Sequence, residues 1–401
     1  MKTTAYHTLW VVLLTLCLVD TADAKAIKVG MVLPLSGGGA QFGDQIEKGA
    51  MLYYNLHKAD LGDNHITFIK RDSKNPGGSV AKAVTQELIV REKVDLLTGY
   101  VYSPDAISIA PLVTKADIPV VIMNAGTAWI TKLSPNIARV SFTMWQSGYL
   151  MVEHAASKMG CKQAISGYTN FPPGKDSVEA FKRGFESAGG KVIDEIPMGG
   201  PQDVPDFTPF FQRAKDQKPN CLYIFVPAGN HATAVVKTFA ELGMKDTGIS
   251  LIGPGDLTQD TKLQEMGEAA VGLSTMHHYA ADYQTPENQA FVAAWKQAYG
   301  AASTPDFLGV QGYDGMAAIF HVINTVKGKI TGSSAMAALK GWAFNSPRGP
   351  ISIDPETREI VQNIYLHEVA KEGDRLTIRI KHTYEAVKDQ CKALKFDQCG
   401  H

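Results

Sequence analysis

The sequence has almost no net charge, and past its first twenty residues it has no hydrophobic run long enough to cross a membrane. Its 401 residues include 39 Lys and Arg against 40 Asp and Glu, a formal charge of −1. A protein that binds a phosphate backbone needs a basic surface, so nucleic acid is excluded as an expected partner. A composition with 45% hydrophobic and 20% charged residues also excludes disordered and fibrous architectures.

Catalytic motifs are missing as well. The sequence has no G-x-S-x-G nucleophile elbow, no H-E-x-x-H zinc motif and no lone cysteine in a nucleophile's setting. His277 and His278 are adjacent, and neighbouring side chains point apart on a strand, so a shared metal would need further ligands. We expect no enzyme activity, no cofactor and no metal. An extracellular hydrolase that uses His277 is the weakest alternative.

The amino terminus indicates export. Lys2 precedes an apolar run, residues 9–19, that is too short to span a bilayer comfortably. Residues 22–24 (Ala-Asp-Ala) place small side chains at the two positions that signal peptidase reads. We predict a signal peptide over residues 1–24, cleavage before Lys25, and a periplasmic or otherwise extracytoplasmic mature protein.

Export determines how the five cysteines are interpreted. Cys17 is disfavoured as a lipidation site because a leucine precedes it. In an oxidising compartment the other four are disulfide candidates. Cys391 and Cys399 close a short loop if they pair. Cys161 and Cys221 precede apolar runs that we expect to be neighbouring strands, so the alternatives are a bridge between them or two buried thiols.

Short apolar runs alternate with segments of helical periodicity. The expected strands cover residues 27–35, 65–71, 94–100, 118–125, 163–168, 191–198, 221–227 and 248–255. Segments such as 43–57 and 174–189 between them carry one apolar face. Strands that alternate with helices of this length predict parallel sheets covered on both faces. The fold class is therefore α/β, with two doubly wound parallel-sheet lobes.

The last third of the chain predicts a hinge of three strands. Helical patterns at 286–299, 307–326 and 333–342 precede an extended segment, 348–354, and a hairpin, 363–369 with 375–382. We expect the chain to return to the first lobe near residue 278 and to leave it again near 347. The predicted domains are lobe 1 (25–141 plus 278–347), lobe 2 (142–277 plus 348–390) and a tail (391–401).

Candidate binding residues follow the strands of the first lobe. In open parallel sheets, ligands bind beyond the carboxyl ends of the strands. Ser103 and the loop 124–127 offer hydroxyl and amide groups that suit a carboxylate at a helix amino terminus, and Phe42 and Tyr100 suit its apolar part. The alternative for Ser103 is a helix N-cap without a ligand. The glycine-rich loop 36–43 matches neither a P-loop nor G-x-G-x-x-G, which argues against a nucleotide.

The second half offers a facing set. Tyr168 and Phe171 are candidates for an aromatic wall, and Asn230 follows another strand end. Asp256 is the acidic residue best placed to meet a ligand ammonium. Its alternative role is the N-cap of a helix over residues 258–268.

Four stretches together resemble the periplasmic binding proteins of the leucine/isoleucine/valine type. They are residues 28–43, 99–103, 124–127 and 348–358, and the resemblance covers nearly the whole mature chain. It implies that a ligand is caught in a cleft between two lobes that close over it. It also implies a monomer that delivers the ligand to the permease subunits of an ABC importer. A sensor of the same fold that signals to a membrane kinase is the alternative.

The resemblance also suggests individual roles. Phe42 forms an aromatic wall, Ser103 donates to the ligand carboxylate, Ala125 and Thr127 contact the ligand through amide and hydroxyl groups, and Phe171 covers it from lobe 2. Asp256 stands one position from where amino-acid binders of this family carry their acid. The ligand therefore stays open between an amino acid and an aromatic or other carboxylate, for which Phe42, Tyr100, Tyr102, Tyr168 and Phe171 furnish an apolar site.

Overall fold

The computed structural model describes residues 26–202, 204–396 and 399. The predicted signal peptide and its cleavage site before Lys25 lie outside these residues. The strands are β1 Ala26–Leu33, β2 His65–Asp72, β3 Leu96–Gly99, β4 Val120–Ile122, β5 Ile137–Arg139, β6 Gln163–Tyr168, β7 Lys191–Pro197, β8 Cys221–Phe225, β9 Ser250–Pro254, β10 Ser274–His277, β11 Ala343–Ser346, β12 Gly349–Ile353, β13 Ile360–Glu372 and β14 Arg375–Val387. The helices are α1 Ala40–His57, α2 Ser79–Glu87, α3 Ser103–Ala116, α4 Met144–Glu153, α5 Pro172–Ser187, α6 Thr208–Asp216, α7 Asn230–Glu241, α8 Asp260–Met266, α9 Pro286–Tyr299, α10 Phe307–Thr325, α11 Gly332–Leu339 and α12 Gln390–Ala393.

The first sheet is parallel throughout, in the order β2-β1-β3-β4-β5. Strands β3, β4 and β5 are buried at every position, as expected where helices cover both faces of a sheet. Helices α9 and α10 pack against α1, so the chain returns to this sheet after β10. We call this sheet with α1–α3 and α9–α11 lobe 1.

The second sheet begins as a parallel set, β7-β6-β8-β9-β10, and continues with antiparallel strands β13, β12 and β11. Strand β14 pairs with β13 in a hairpin longer than the sequence predicted. Together with α4–α8 and α12, this sheet is lobe 2. Strand β11 pairs with β12, so residues 343–346, predicted for lobe 1, belong to the second sheet. The predicted fold class, two parallel-sheet α/β lobes, is confirmed.

A buried arginine joins the segments that cross between the lobes. Arg348 lies 2.7 Å from Asp314 of α10. It donates to the carbonyls of Val140 and Ser141 in the first crossing segment, residues 140–143, which joins β5 to α4. It also donates to Gln362 of β13 at 2.8 Å. The side chains of Arg348 and Asp314 are fully buried, and removal of one partner from such a pair costs several kcal/mol. This cluster therefore fixes the crossings relative to each other.

Both candidate cysteine pairs are joined. Cys161 and Cys221 bridge neighbouring strands β6 and β8 with a Cα–Cα distance of 6.0 Å, and Cys391 and Cys399 close the tail with 5.5 Å. In the tail loop, the Phe396 ring lies 5.2 Å from that of Trp145. The tail is thereby held against α4. Among the described residues no helix is both long and apolar enough to cross a membrane.

Candidate functional site

A cleft between the lobes collects the strand ends of both sheets. Lobe 1 contributes the loops after β3 and β4 and the first turns of α1 and α10, and lobe 2 contributes the loops after β8 and β9 and the first turn of α5. The lining residues are Phe42, Val101, Tyr102, Ser103, Asn124, Gly126, Phe142, Met144, Phe171, Pro173, Phe225, Pro227, Ala228, Asp256, Phe307 and Leu308. The gap between them is partly open to solvent. Its lining, mostly apolar rings with a few polar groups, is typical of small-molecule sites.

Aromatic rings make up much of the cleft wall. Phe42 and Tyr102 meet edge to face with centroids 6.4 Å apart on lobe 1, and Phe171 lies 6.1 Å from Phe225 on lobe 2. Phe142, in the first crossing segment, lies between the two sets. Such walls bury a flat apolar group well, because aromatic pairs favour offset and edge-to-face contacts.

The glycine-rich loop makes room for one of these rings. A Cβ on Gly39 would lie 1.8 Å from the hydroxyl oxygen of Tyr102. A side chain at this position would therefore displace Tyr102 from the cleft. Phe42, three residues further on, begins the buried face of α1. The loop thus shapes the aromatic wall of lobe 1.

Ser103 and Thr127 meet at the polar end of the cleft. The Thr127 amide donates to Ser103 Oγ at 3.2 Å. Helix α3 begins at Ser103, and its N-cap position is Tyr102, so the serine hydroxyl bonds the neighbouring loop rather than capping the helix. Because Ser103 Oγ already accepts, its hydrogen is available to a carboxylate. The positive end of the α3 dipole favours an anion at the same place.

Arg139 shapes the loop 124–128 from behind. Its guanidinium donates to the carbonyls of Ala125 (2.7 Å), Thr127 (2.8 Å) and Ala128 (3.3 Å). Carbonyls that point to a buried cation cannot also point into the cleft. The loop is left with a cleft side made of Asn124 and Gly126 and the Ser103–Thr127 contact. The donor for a negative ligand there is the Ser103 hydroxyl, because the Asn124 amide group already donates to the Val101 carbonyl.

Glu359 balances the charge of Arg139. It accepts from Arg139 Nε at 2.6 Å and pairs with Lys392 of the tail, which also donates to Thr131. Burial alone acts to raise the pKa of Glu359, but the charges of Arg139 and Lys392 outweigh it and lower the pKa to about 2. The loop that faces the ligand is therefore held by an ion cluster of three residues: Arg139 from lobe 1, Glu359 from the turn before β13 and Lys392 from the tail.

Asp256 lies on the lobe 2 side of the cleft. It belongs to a short turn after β9, whereas α8 begins at Asp260 with Gln259 at its N-cap position. Asp256 therefore does not cap that helix. Its side chain is 7% exposed, and its Oδ2 is buried without a hydrogen-bond partner among the described residues. Burial raises the pKa of Asp256 to about 7. A buried polar atom of this kind, on a cleft wall, marks a position for a ligand group.

The histidine pair belongs to the aromatic packing behind the cleft. His278 stacks on Phe142 with centroids 5.2 Å apart, and His277 lies 4.6 Å from Phe307. Burial lowers the pKa of both imidazoles well below the usual value, so both are neutral. No cluster of three or more metal-binding side chains occurs in the described part of the chain.

Several predicted site residues lie on the cleft and others do not. Phe42, Tyr102, Ser103, Phe171 and Asp256 line it. Thr127 lies directly behind Ser103, and its Oγ1 is buried without a hydrogen-bond partner in the described residues. The position of Ala125 does not fit the predicted amide contact, because its N–H donates to the Tyr100 carbonyl at 3.1 Å.

Tyr100, Tyr168 and Asn230 lie elsewhere. Tyr100 has a left-handed backbone (φ 57°), is fully buried in the core of lobe 1, and shares a hydrogen bond with Thr85 at 2.8 Å. Tyr168 lines a separate groove beside Trp129. Asn230 is exposed at the mouth of the cleft. None of the three forms part of the wall described above.

Sequence reasoning missed several lining residues, five of which have large apolar side chains at places that it did not consider. Phe142 and Met144 lie in and just after the first crossing segment, Phe307 and Leu308 open α10, and Phe225 ends β8. Phe225 could have been found from its position at the end of a strand. The start of α10 could have been found from Asp306, which caps that helix by accepting from the amides of residues 308 and 309. Nothing local distinguishes Phe142 from an ordinary core residue.

Comparison with known proteins agrees with this geometry. The family model described as periplasmic binding protein matches residues 26–374. Leu/Ile/Val-binding protein homolog 6 of Brucella melitensis biotype 1 is 39% identical over 355 residues, which cover 88% of this chain and 90% of that protein. The resemblance inferred from the sequence motifs is thereby confirmed.

Two solved structures are also similar. One is a solute-binding protein of an ABC transporter from Rhodopseudomonas palustris BisB5 in complex with 3,4-dihydroxybenzoic acid (42% identity, TM-score 0.85, 92% of this chain and 99% of that one). The other, from Rhodopseudomonas palustris HaA2, is in complex with p-hydroxybenzoic acid (37% identity, TM-score 0.88, 92% of this chain and 100% of that one). Both are ABC-transporter binding proteins with an aromatic acid bound.

Proposed function

The chain belongs to the periplasmic binding protein family, and from this premise we propose that it captures a small aromatic carboxylate and delivers it to an ABC importer. In this proposal residues 1–24 direct export and are removed, and the mature protein acts as a monomer outside the cytoplasm. We infer the ligand class from the composition of the cleft. It has anion-binding groups at one end, aromatic walls, and one buried unpaired carboxyl on the opposite lobe.

The ligand carboxylate docks on lobe 1. Ser103 donates its hydroxyl proton, the Thr127 hydroxyl, unpaired among the described residues, is a second donor, and the amino terminus of α3 supplies a favourable dipole. Hydrogen bonds to a charged group contribute more than neutral ones, about 1.5–3 kcal/mol each. The carboxylate thus fixes the orientation of the ligand before the lobes close.

The ring then lies between Phe42 and Tyr102 of lobe 1 and Phe171 and Phe225 of lobe 2. Closure removes both ring faces from water at about 25 cal/mol per Å² of apolar surface. Micromolar affinity needs about −8 kcal/mol in total, which charge-assisted hydrogen bonds and this burial can supply together. The closed form presents both lobes to the importer in a fixed arrangement.

Asp256 binds a hydroxyl on the far side of the ring. A phenol donates to a carboxylate oxygen or accepts from a protonated one, so it pairs with Asp256 in either protonation state. An amino acid is the second candidate, since its ammonium also fits an acid at this place. That reading requires an ionised Asp256, and an ammonium in contact would lower the pKa of the carboxyl from the value to which burial raises it, about 7.

Titration calorimetry on Asp256 variants tests the assignment. We expect wild-type protein to bind 4-hydroxybenzoate more tightly than benzoate, and both far more tightly than leucine. Asp256→Leu should weaken 4-hydroxybenzoate about 10-fold or more and change benzoate by no more than about 3-fold, because only the hydroxyl loses a partner. Asp256→Asn should restore most of the 4-hydroxybenzoate affinity, since an amide also pairs with a phenol.

The matched control is Asp246→Asn, an exposed acid on the same lobe, which should bind all three ligands as wild type does. Preferential binding of leucine that is lost in Asp256→Asn would show an ammonium contact and contradict the aromatic assignment.

A further inference from the structure

A hydrogen bond joins the two lobes beside the cleft. The Ala128 amide of lobe 1 donates to Asp176 Oδ2 of α5 in lobe 2 at 2.6 Å. Neither residue lies in a crossing segment, and neither lines the cleft. The contact therefore depends on how closely the lobes approach each other and not on the ligand directly.

The other carboxylate oxygen is held within lobe 2. Trp145 is fully buried, and its Nε1–H donates to Asp176 Oδ1 at 3.0 Å. The indole is packed under Phe396 of the disulfide-closed tail. The Asp176 side chain is thus fixed in position by its own lobe.

On the lobe 1 side the same peptide is fixed from behind. Arg139 holds the carbonyls of Thr127 and Ala128, so the Ala128 amide cannot turn freely to find another acceptor. The donor and the acceptor are each held rigid within one lobe. A hydrogen bond between two such groups costs little conformational entropy when it forms, and most of its energy goes into closure.

We propose that Asp176 is a latch, a positioning residue that stabilises the closed form by accepting the Ala128 amide and that touches no ligand. Loop 124–128 carries the carboxylate-binding groups at one end and the latch donor at the other. Closure over any ligand therefore brings the same contact together. The inference rests on the proposed capture by closure, but not on the identity of the ligand.

The distinguishing property of a latch is a uniform effect. A ligand contact changes the affinity for one ligand more than for another, whereas a contact between lobes contributes the same free energy to every closed complex. Asp176 is partly exposed, so we expect the contact to contribute as much as an ordinary hydrogen bond, a factor of about 3–10 in affinity.

The test is Asp176→Asn. Asparagine offers one acceptor atom in place of two, so it cannot accept from both Trp145 and Ala128. We expect affinities for benzoate, 4-hydroxybenzoate and any amino acid that the wild type binds to fall by the same factor, about 3–10. Dissociation rates should rise with little change in association rates, since closure follows docking. Asp176→Ala, which removes both acceptors, should weaken every ligand at least as much.

Glu186→Gln, an exposed acid on the same helix, is the matched control and should leave affinities unchanged. The melting temperature of ligand-free Asp176→Asn should stay within about 2 °C of wild type, because a purely structural role would lower it instead.

Unchanged affinities, or losses that differ from ligand to ligand, would contradict the latch. A wild-type preference for leucine would contradict the proposed ligand class. Asp176→Asn would still be expected to lose affinity for every ligand by the same factor. The two proposals therefore fail in different ways.

Discussion

The two walls of the cleft are built differently. The lobe 1 wall carries hydroxyl and amide groups whose positions are fixed by a buried ion cluster, with Arg139 holding three carbonyls of the loop. The lobe 2 wall is formed by aromatic and proline side chains around one acid, Asp256. One wall is organised before a ligand arrives, and the other completes its contacts when the ligand is enclosed.

Under the proposed function, the difference assigns the two steps of capture to different lobes. A carboxylate is strongly hydrated, so it needs a wall whose donors are already oriented. An aromatic ring needs only surface to bury, which the second wall supplies on closing. Selectivity for the anion then comes from lobe 1, and discrimination among rings comes from lobe 2.

The largest expected effect comes from breaking the organisation of lobe 1. Arg139→Met removes three loop hydrogen bonds and leaves Lys392, among the described residues, as the one cation paired with Glu359 in a buried site. We expect a loss of about 3–5 kcal/mol in the free energy of unfolding, measured by urea denaturation.

The control for that loss is Arg213→Met, which breaks an ion pair with Asp194 in which the arginine is 56% exposed. It should cost less than about 1 kcal/mol. Equal losses in the two variants would mean that the Arg139 cluster is no more than an ordinary surface contact, and the contrast between the walls would fail.

A smaller effect concerns pH and the acid of lobe 2. Burial raises the pKa of Asp256 from 3.8 to about 7. It is faced by Tyr223 and by His277, which lies against Gly255; burial raises the pKa of the tyrosine and lowers that of the histidine, so both stay neutral. The charge that changes near neutral pH is therefore that of the carboxyl itself.

Benzoate offers Asp256 no partner, so closure over benzoate buries the carboxyl in its protonated form. The pKa of Asp256 in the closed form lies above its usual value. At a pH between these two pKa values, closure therefore takes up a proton, and a fall in pH favours closure. We expect benzoate affinity to rise about 3- to 10-fold from pH 8 to pH 6, where the ligand is still ionised. Calorimetry in buffers of different ionisation enthalpy measures the proton uptake.

Asp256→Leu should remove most of that uptake. Affinity that instead falls as the pH is lowered would mean that Asp256 acts as an anion in the complex.

The sequence predicted the sites that depend on local rules. Ser103, Phe42 and the loop 124–127 follow from the position of strand ends in a parallel sheet. Tyr100 was misplaced because its left-handed backbone (φ 57°) turns it into the core, and a bulky residue rarely adopts that conformation. Arg139 and Phe142 were missed because their roles depend on Glu359 and on the crossing segments, far away in the chain.

The proposed function fixes the direction of the ligand, with its carboxylate on lobe 1 and its ring hydroxyl on lobe 2. A crystal structure of the complex with 4-hydroxybenzoate would show this direction. We expect a carboxylate oxygen within about 3 Å of Ser103 Oγ and the hydroxyl oxygen within about 3 Å of the Asp256 carboxyl. A reversed ligand, or one bound outside the wall formed by Phe42 and Phe171, would contradict it.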